Sequence, residues 1–162
     1  MSTTKSNSEE KRIPRVGALL RRAWQHVREE IYLGVQNDGY ADINPAHFAL
    51  FRYEGLEGLR PSQLAEQMQI TKQSVNDLLR DLESHGYIQL KPDPDDSRAR
   101  RIHLTARGRR LDTVIRREAA AAERALAAEI GKDAFNQFHD TLIKIVGIAD
   151  TASRHRRQNR NQ

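Results

Sequence analysis

Cysteine is absent from all 162 residues, which excludes disulfides, thiolate metal sites, cysteine nucleophiles and direct thiol redox sensing. No run approaches the roughly 18 consecutive apolar residues of a membrane span, and the first ten residues, Met1 to Glu10, lack the apolar core of a secretion signal. The expectation is a soluble, cytoplasmic protein that makes no membrane contact. The six histidines, His26, His47, His85, His103, His139 and His155, form no H-x-x-x-H pair, so no metal is expected. The chain also lacks a G-x-S-x-G elbow, a P-loop and a dinucleotide fingerprint, and its acidic pairs Glu29-Glu30 and Asp95-Asp96 are adjacent in sequence and not evidently convergent on a pocket. No catalytic residue and no cofactor are expected, and an enzyme ranks far behind the other readings.

With 38% hydrophobic and 6% aromatic residues, the chain can bury one core, or a compact module with extended helices, but hardly two large domains. Twenty-seven Lys+Arg against 22 Asp+Glu give a net charge of +5 and a pI near 9.8, which suits a polyanionic partner. Residues 1–12 are small and polar and predict a disordered tail. Pro14 fits the first turn of a long amphipathic helix, with Val16, Leu20, Ala23, Val27 and Ile31 on one face and an end between Gly34 and Gly39. Asn44 and Pro45 cap and start a second helix running to the Gly55-Leu56-Glu57-Gly58 break. Pro61 opens a third, bearing Leu64, Ala65 and Met68, and Gln69-Ile70 forms a corner.

Thr71 caps a fourth helix, although Ser74 stands where a full capping box wants Glu or Gln. At 100° per residue, Val75, Leu78, Leu79 and Leu82 share one arc, and Lys72, Gln73, Asn76 and Arg80 share another. Lysine and arginine meet phosphates or guanine edges, and the amides of Gln73 and Asn76 fit adenine N6/N7 in a major groove. Taken alone, such an arc is an ordinary solvated helix face; its context is what distinguishes it. Tyr87 to Lys91 alternates apolar and polar residues, as does Arg101 to Leu104, and Pro92 to Ser97 supplies a charged turn. Helix, corner, helix and basic hairpin in that order predict a winged DNA-binding domain. Arg98, Arg100 and Arg101 then reach phosphates or a narrow minor groove, with Asp95 or Asp96 fixing the rotamer of Arg98.

Thr105 caps a fifth helix through Leu111, Val114, Ile115, Ala119 to Ala122 and Leu126 to about Ile130, a span of roughly 35 Å that exceeds the small head and needs a partner. After Gly131 a sixth helix carries Phe135, Phe138, Leu142, Ile145, Val146 and Ala149 on one side, and arginines 154, 156, 157 and 160 end the chain. The fold class expected is mainly α with a small β-hairpin wing: a winged helix-turn-helix head at about 44–105 and a helical dimerisation layer from about 13–37 and 106–150, followed by a basic disordered tail at 151–162.

Asp96-Ser97-Arg98 with Ile102-His103-Leu104-Thr105 and Gly108 resembles the D-x-R…L-T-x-x-G signature of the MarR family of winged helix-turn-helix regulators. Leu64-Ala65-Glu66, Thr71 to Val75 and Leu82 to Ile88 are similar to the family pattern in order and spacing, over about residues 13–150. The resemblance implies an obligate homodimer on double-stranded DNA, with two fourth helices in successive major grooves of a pseudo-palindrome and two wings in the flanking minor grooves. The expected DNA-binding residues are Thr71, Lys72, Gln73, Ser74, Asn76, Arg80, Asp96, Arg98 and Arg100. It also implies repression relieved by a small aromatic or phenolic ligand, for which Trp24, His26, Phe48, Phe51, Arg52 and Tyr53 are the candidates; a ring at helical spacing is more often core than pocket. The family's cysteine-based peroxide response does not carry over. The competing reading is a winged-helix architectural or protein-interaction module without sequence preference.

Overall fold

The computed structural model describes residues 14–51 and 56–160. Six helices and one hairpin follow one another: α1 (Val16–Asn37), α2 (Pro45–Phe51), α3 (Pro61–Met68), α4 (Lys72–Ser84), β1 (Ile88–Asp93), β2 (Asp96–Leu104), α5 (Ala106–Ile130) and α6 (Lys132–Arg160). The mainly α fold with a two-stranded wing is as the pattern predicts. Pro14 does not sit in the first turn of α1, because Arg15 is the N-cap and the helix begins one residue later. The expected second helix stops at Phe51; Arg52 and Tyr53 lie outside the described residues, as does the tail at 1–12. The sixth helix continues past 150 to Arg160, over residues expected to be a tail. No proline or glycine follows Gly147, and alanine, arginine and glutamine are sound helix formers.

The core is assembled by the heads of these elements. Leu64 and Ala65 of α3, Val75, Leu79 and Leu82 of α4, Tyr87, Ile88 and Ile102 of the hairpin, and Leu111, Val114 and Ile115 of α5 are all buried, together with Ile31 and Val35 of α1. Val75, Leu79 and Leu82 recur at four and three residues, so the apolar arc of α4 is buried as its periodicity requires. The corner between α3 and α4 turns on Gln69, a left-handed residue at φ 56° and ψ 37°.

β1 and β2 pair antiparallel in the register Ile88↔Leu104, Leu90↔Ile102 and Pro92↔Arg100, and then jump to Asp93↔Asp96. Ser97, Arg98 and Ala99 are thus extra residues on β2, a bulge that bends its tip. The charged turn is therefore shorter than the sequence pattern suggests. Only Pro94 and Asp95 lie between the strands, and Arg98 and Arg100 belong to β2 itself. The Asp93 carboxylate shortens it, because Oδ1 accepts the Asp95 amide at 2.9 Å. The other edge of β2 is covered: Gly58 N–H donates to the Ile102 carbonyl at 2.7 Å and Ile102 N–H to the Leu59 carbonyl at 2.9 Å. Gly58, at the end of the break expected from sequence, and Leu59 beside it thus serve as partners for the wing, while Gly55 lies outside the described residues.

α5 leaves the head at Thr105, whose Oγ1 accepts the Gly108 amide at 3.1 Å and donates to the Gly86 carbonyl at 2.6 Å. Gly108 lies so close to Tyr87 that a Cβ there would fall on the Tyr87 carbonyl oxygen. α1 then packs along α5, leaving a face of α1 and α6 uncovered. Val16, Leu19, Trp24, Phe138, Ile143, Val146 and Ile148 are exposed on these two helices.

Candidate nucleic-acid interface

α4 presents to solvent the residues expected to read DNA. Lys72, Gln73, Ser74, Asn76 and Arg80 are all exposed, opposite the buried Val75, Leu79 and Leu82. Thr71 is exposed too, and its hydroxyl performs the capping work: Oγ1 accepts the Ser74 amide at 3.1 Å and lies 2.8 Å from the Ser74 hydroxyl. Ser74 thus closes the cap through its own hydroxyl. Arg80 pairs with Asp77 at 3.0 Å on the exposed surface, a bond worth about 0–1 kcal/mol that a phosphate can displace.

The head is fixed by contacts between charged groups far apart in sequence. Asp93 is 3% exposed, and its Oδ2 accepts from Arg60 Nε at 2.6 Å and Arg101 Nε at 2.8 Å. Arg60 is the N-cap residue of α3, so one buried carboxylate joins the start of α3 to the wing. The Arg101 hydrogen bond, with the Asp95 amide and Arg60 adding to it against the cost of burial, holds the Asp93 carboxyl well below the usual aspartate range. Arg101 also pairs with Asp95 at 2.9 Å, and its own ionisation is pushed up by Asp93. Two further joints hold the wing. Glu83 of α4 accepts the Leu90 amide at 2.8 Å, and Glu57 accepts the Leu104 amide at 2.6 Å while meeting His103 Nδ1 at 2.9 Å.

These contacts redistribute the roles expected for the arginines. Arg101 was expected to reach outward, but its guanidinium is engaged by two carboxylates. Asp96 does not fix the Arg98 guanidinium; its Oδ1 accepts the backbone amide of Arg98, two residues on, at 3.1 Å, a turn-type bond within the bulge. Arg98 is exposed at the bulge, with no side-chain partner among the described residues. Arg100 is exposed beside it, with one long bond from Nη1 to the Leu90 carbonyl at 3.4 Å. Arg60, Asp93, Glu57 and His47 were not singled out by sequence. The one local signal was the Pro92-Asp93-Pro94 turn, which says nothing of Arg60.

The base of the head carries a second polar cluster. Tyr87 donates its hydroxyl to Asp42 Oδ1 at 2.7 Å, Arg107 reaches Asp42 Oδ2 at 2.8 Å, and the Arg107 guanidinium lies 4.3 Å over the Tyr87 ring. Burial alone would raise the Asp42 carboxyl, but the Tyr87 hydroxyl and Arg107 bring it below its ordinary value; burial and Asp42 together push the phenol up. This cluster ties the α1–α2 loop to the start of α5.

The ligand candidates do not converge. Trp24 lines a cavity of about 370 Å³ between α1, α5 and α6, with Leu20, Phe135, Phe138 and Leu142. Phe48 lines another of about 410 Å³ between α1 and α2, with Gln25, Arg28, Glu29, Tyr32 and Pro45. Phe51 is buried in the core, its ring edge-on to Tyr87, and His26 is exposed. Arg52 and Tyr53 fall outside the described residues. Among the described residues no three His, Asp or Glu side chains form a group that could hold a metal ion, and no helix is long and apolar enough to cross a membrane.

Residues 41–99, which span α2 to the wing tip, match the model of the MarR family. No curated protein matches the sequence. Among solved structures, the transcriptional regulator Tm0710 from Thermotoga maritima is 25% identical, with 82% of this chain and 92% of that one covered at a TM-score of 0.59. Wild-type apo MarR from E. coli is 18% identical at a TM-score of 0.69, over 82% and 97% of the two chains. The S. aureus MepR–DNA complex is 22% identical at a TM-score of 0.62, over 83% and 98%.

Proposed function

We propose that this chain is a MarR-family winged-helix transcriptional regulator, which binds a pseudo-palindromic operator as a homodimer and represses until a small aromatic ligand releases it. One observation carries the DNA reading: α4 exposes a continuous polar face of Lys72, Gln73, Ser74, Asn76 and Arg80, held rigidly to a wing on which Arg98 and Arg100 remain exposed. Lys72 and Arg80 take phosphates or guanine edges, Gln73 and Asn76 read adenine, and the two wing arginines enter a minor groove. Asp96 shapes the bulge that presents Arg98. A DNA-bound relative of the same fold supports this reading.

Dimerisation is supported by the uncovered apolar face of α1 and α6, where Ile148 and Val16 are each 70% exposed. Apolar groups in that density are buried against a second copy rather than left in water. Twofold symmetry places the two α4 helices on half-sites about one helical turn, roughly 34 Å, apart. The α1–α2 cleft is the better candidate for the effector. Its Tyr32 and Phe48 rings, 5.8 Å apart, supply an aromatic wall, and Arg28 supplies a cation for a carboxylate or phenolate.

Selection of bound duplexes from a random pool tests the reading. A symmetric motif is expected, with Gln73→Ala losing affinity for selected over scrambled duplex and Arg98→Ala losing affinity for both. An architectural module would instead give no enriched motif and one steep salt slope for every duplex. That result would refute the regulator reading.

A further inference from the structure

We infer that His47 is a positioning residue for α4, fastening the helix that reads DNA to α2, the helix that walls the α1–α2 cleft. The inference rests on the DNA reading above for its consequence and on geometry for its substance. Asn44 caps α2, its Oδ1 accepting the Ala46 and His47 amides at 2.9 Å each, so the seven-residue helix starts in a fixed orientation. Successive residues on a helix point about 100° apart. Phe48 therefore turns toward Tyr32 and the cleft, and His47 turns toward α4.

The His47 ring is 2% exposed, and its Nε2 lies 2.8 Å from Asp81 Oδ2 on α4. A carboxylate only accepts, so in the 2.8 Å contact Nε2–H donates to Asp81, and Asn44 Nδ2, 3.4 Å from the same nitrogen, is a neighbour rather than its donor. Nδ1 is buried and has no hydrogen-bond partner among the described residues. A core position that needed only volume would be filled by an apolar side chain at lower cost; an imidazole buried with one nitrogen unmatched is retained for the bond its other nitrogen makes. Asp81 is half exposed and also meets His85 Nδ1 at 3.3 Å, so both of its oxygens are engaged from one side of α4. The charged and titratable groups set against His47 are thus Asp81 and His85 of α4, with Arg107 of α5 next, held on the His85 carbonyl at 2.8 Å.

Asp81 sits one residue past Arg80 and five past Asn76, on the same short helix. A rotation of α4 about its axis that breaks the His47 bond carries both reading residues with it. The α2 helix is therefore placed to pass any displacement of its cleft wall to the reading face, through the polar bond by which His47 crosses from α2 to α4.

A double-mutant cycle tests this. His47→Ala and Asp81→Ala are each expected to lower affinity for the selected duplex about tenfold and to leave the scrambled duplex within about twofold, because orientation rather than charge is lost. The double variant is expected to be no weaker than the weaker single. His47→Gln, whose amide N–H can still reach Asp81, is expected to remain within about threefold of the parent. Additive losses, equal losses on both duplexes, or a glutamine variant no better than alanine would overturn the inference. If the parent protein prefers no duplex, the DNA reading fails and amide NMR of the DNA-free protein decides this one. Asp81→Ala must shift the amides of Ala46, His47 and Phe48, and His47→Ala those of Asp77 to Asp81; unmoved signals would overturn it.

Discussion

Replacing Gly108 with alanine sets two effects of opposite sign against each other. Gly108 lies in the first turn of α5, where alanine has the higher helix propensity by about 1 kcal/mol. On propensity alone the substitution stabilises. The structure reverses the sign. A Cβ at this position falls on the backbone carbonyl oxygen of Tyr87, and backbone cannot swing aside as the end of a side chain can. That carbonyl also accepts the Thr105 amide at 3.0 Å and the Thr105 hydroxyl at 3.1 Å, so moving α5 away strains the cap as well as the contact. Overpacking costs about 1–3 kcal/mol, and loss of the Thr105 cap on the Gly108 amide adds about 1 kcal/mol. With propensity subtracted, Gly108→Ala is expected to lose about 1–3 kcal/mol in urea unfolding. Two helical glycines calibrate the result. Gly17 has nothing within 4 Å of a built Cβ, and Gly34 meets only the flexible end of Glu118. Gly17→Ala should therefore be neutral or stabilising, and Gly34→Ala close to neutral once Glu118 shifts. If Gly108→Ala were as stable as Gly17→Ala, the close approach of α5 to Tyr87 would be wrong, and with it the placement of α5 on the head.

Other outcomes follow from the same contacts. Asp93 is held below its ordinary value of 3.8, so its contribution is complete above that value and is lost as pH falls through the lower folded value. Asp93→Asn should therefore lower the melting temperature at neutral pH, and the gap between the two proteins should narrow in acid below about pH 4; a constant gap would remove the carboxylate from the explanation. Arg101→Ala should lower the melting temperature while Arg98→Ala leaves it unchanged and weakens DNA binding, because only Arg101 is engaged by Asp93 and Asp95. The reverse pattern in paired melting and titration experiments would show the two arginines misassigned. The proposed dimer of 18.6 kDa chains should be converted to monomers in sedimentation equilibrium by Val146→Glu, at a position 57% exposed on α6; a dimer mass unchanged by the substitution, or a monomeric parent, would refute dimerisation through this face.

Much of the head was legible because it is encoded locally. Asn44, Thr71 and Thr105 are caps that act within three residues, and each is found bonded to the amides it was expected to hold. The 3.6-residue period of Val75, Leu79 and Leu82 fixes which side of α4 is buried, and by subtraction leaves Lys72, Gln73, Asn76 and Arg80 outside. The wing was harder. Alternation located its strands, but a bulge at Ser97 to Ala99 changes which residues are strand and which are turn, and no periodicity marks an added residue.

The amino-acid order by itself determined the succession of helices and strands and the buried and open faces of α4, since each follows from neighbours a few positions away. Only the folded chain decided the partners of the charged groups. Asp93 takes Arg60 and Arg101 rather than leaving an aspartate for Arg98, Glu57 takes His103, and Asp81 takes His47. The physical reason is that any carboxylate attracts any cation equally in sequence, where 49 acidic and basic side chains are available to one another. Packing alone brings one pair within hydrogen-bond reach and shields it from water.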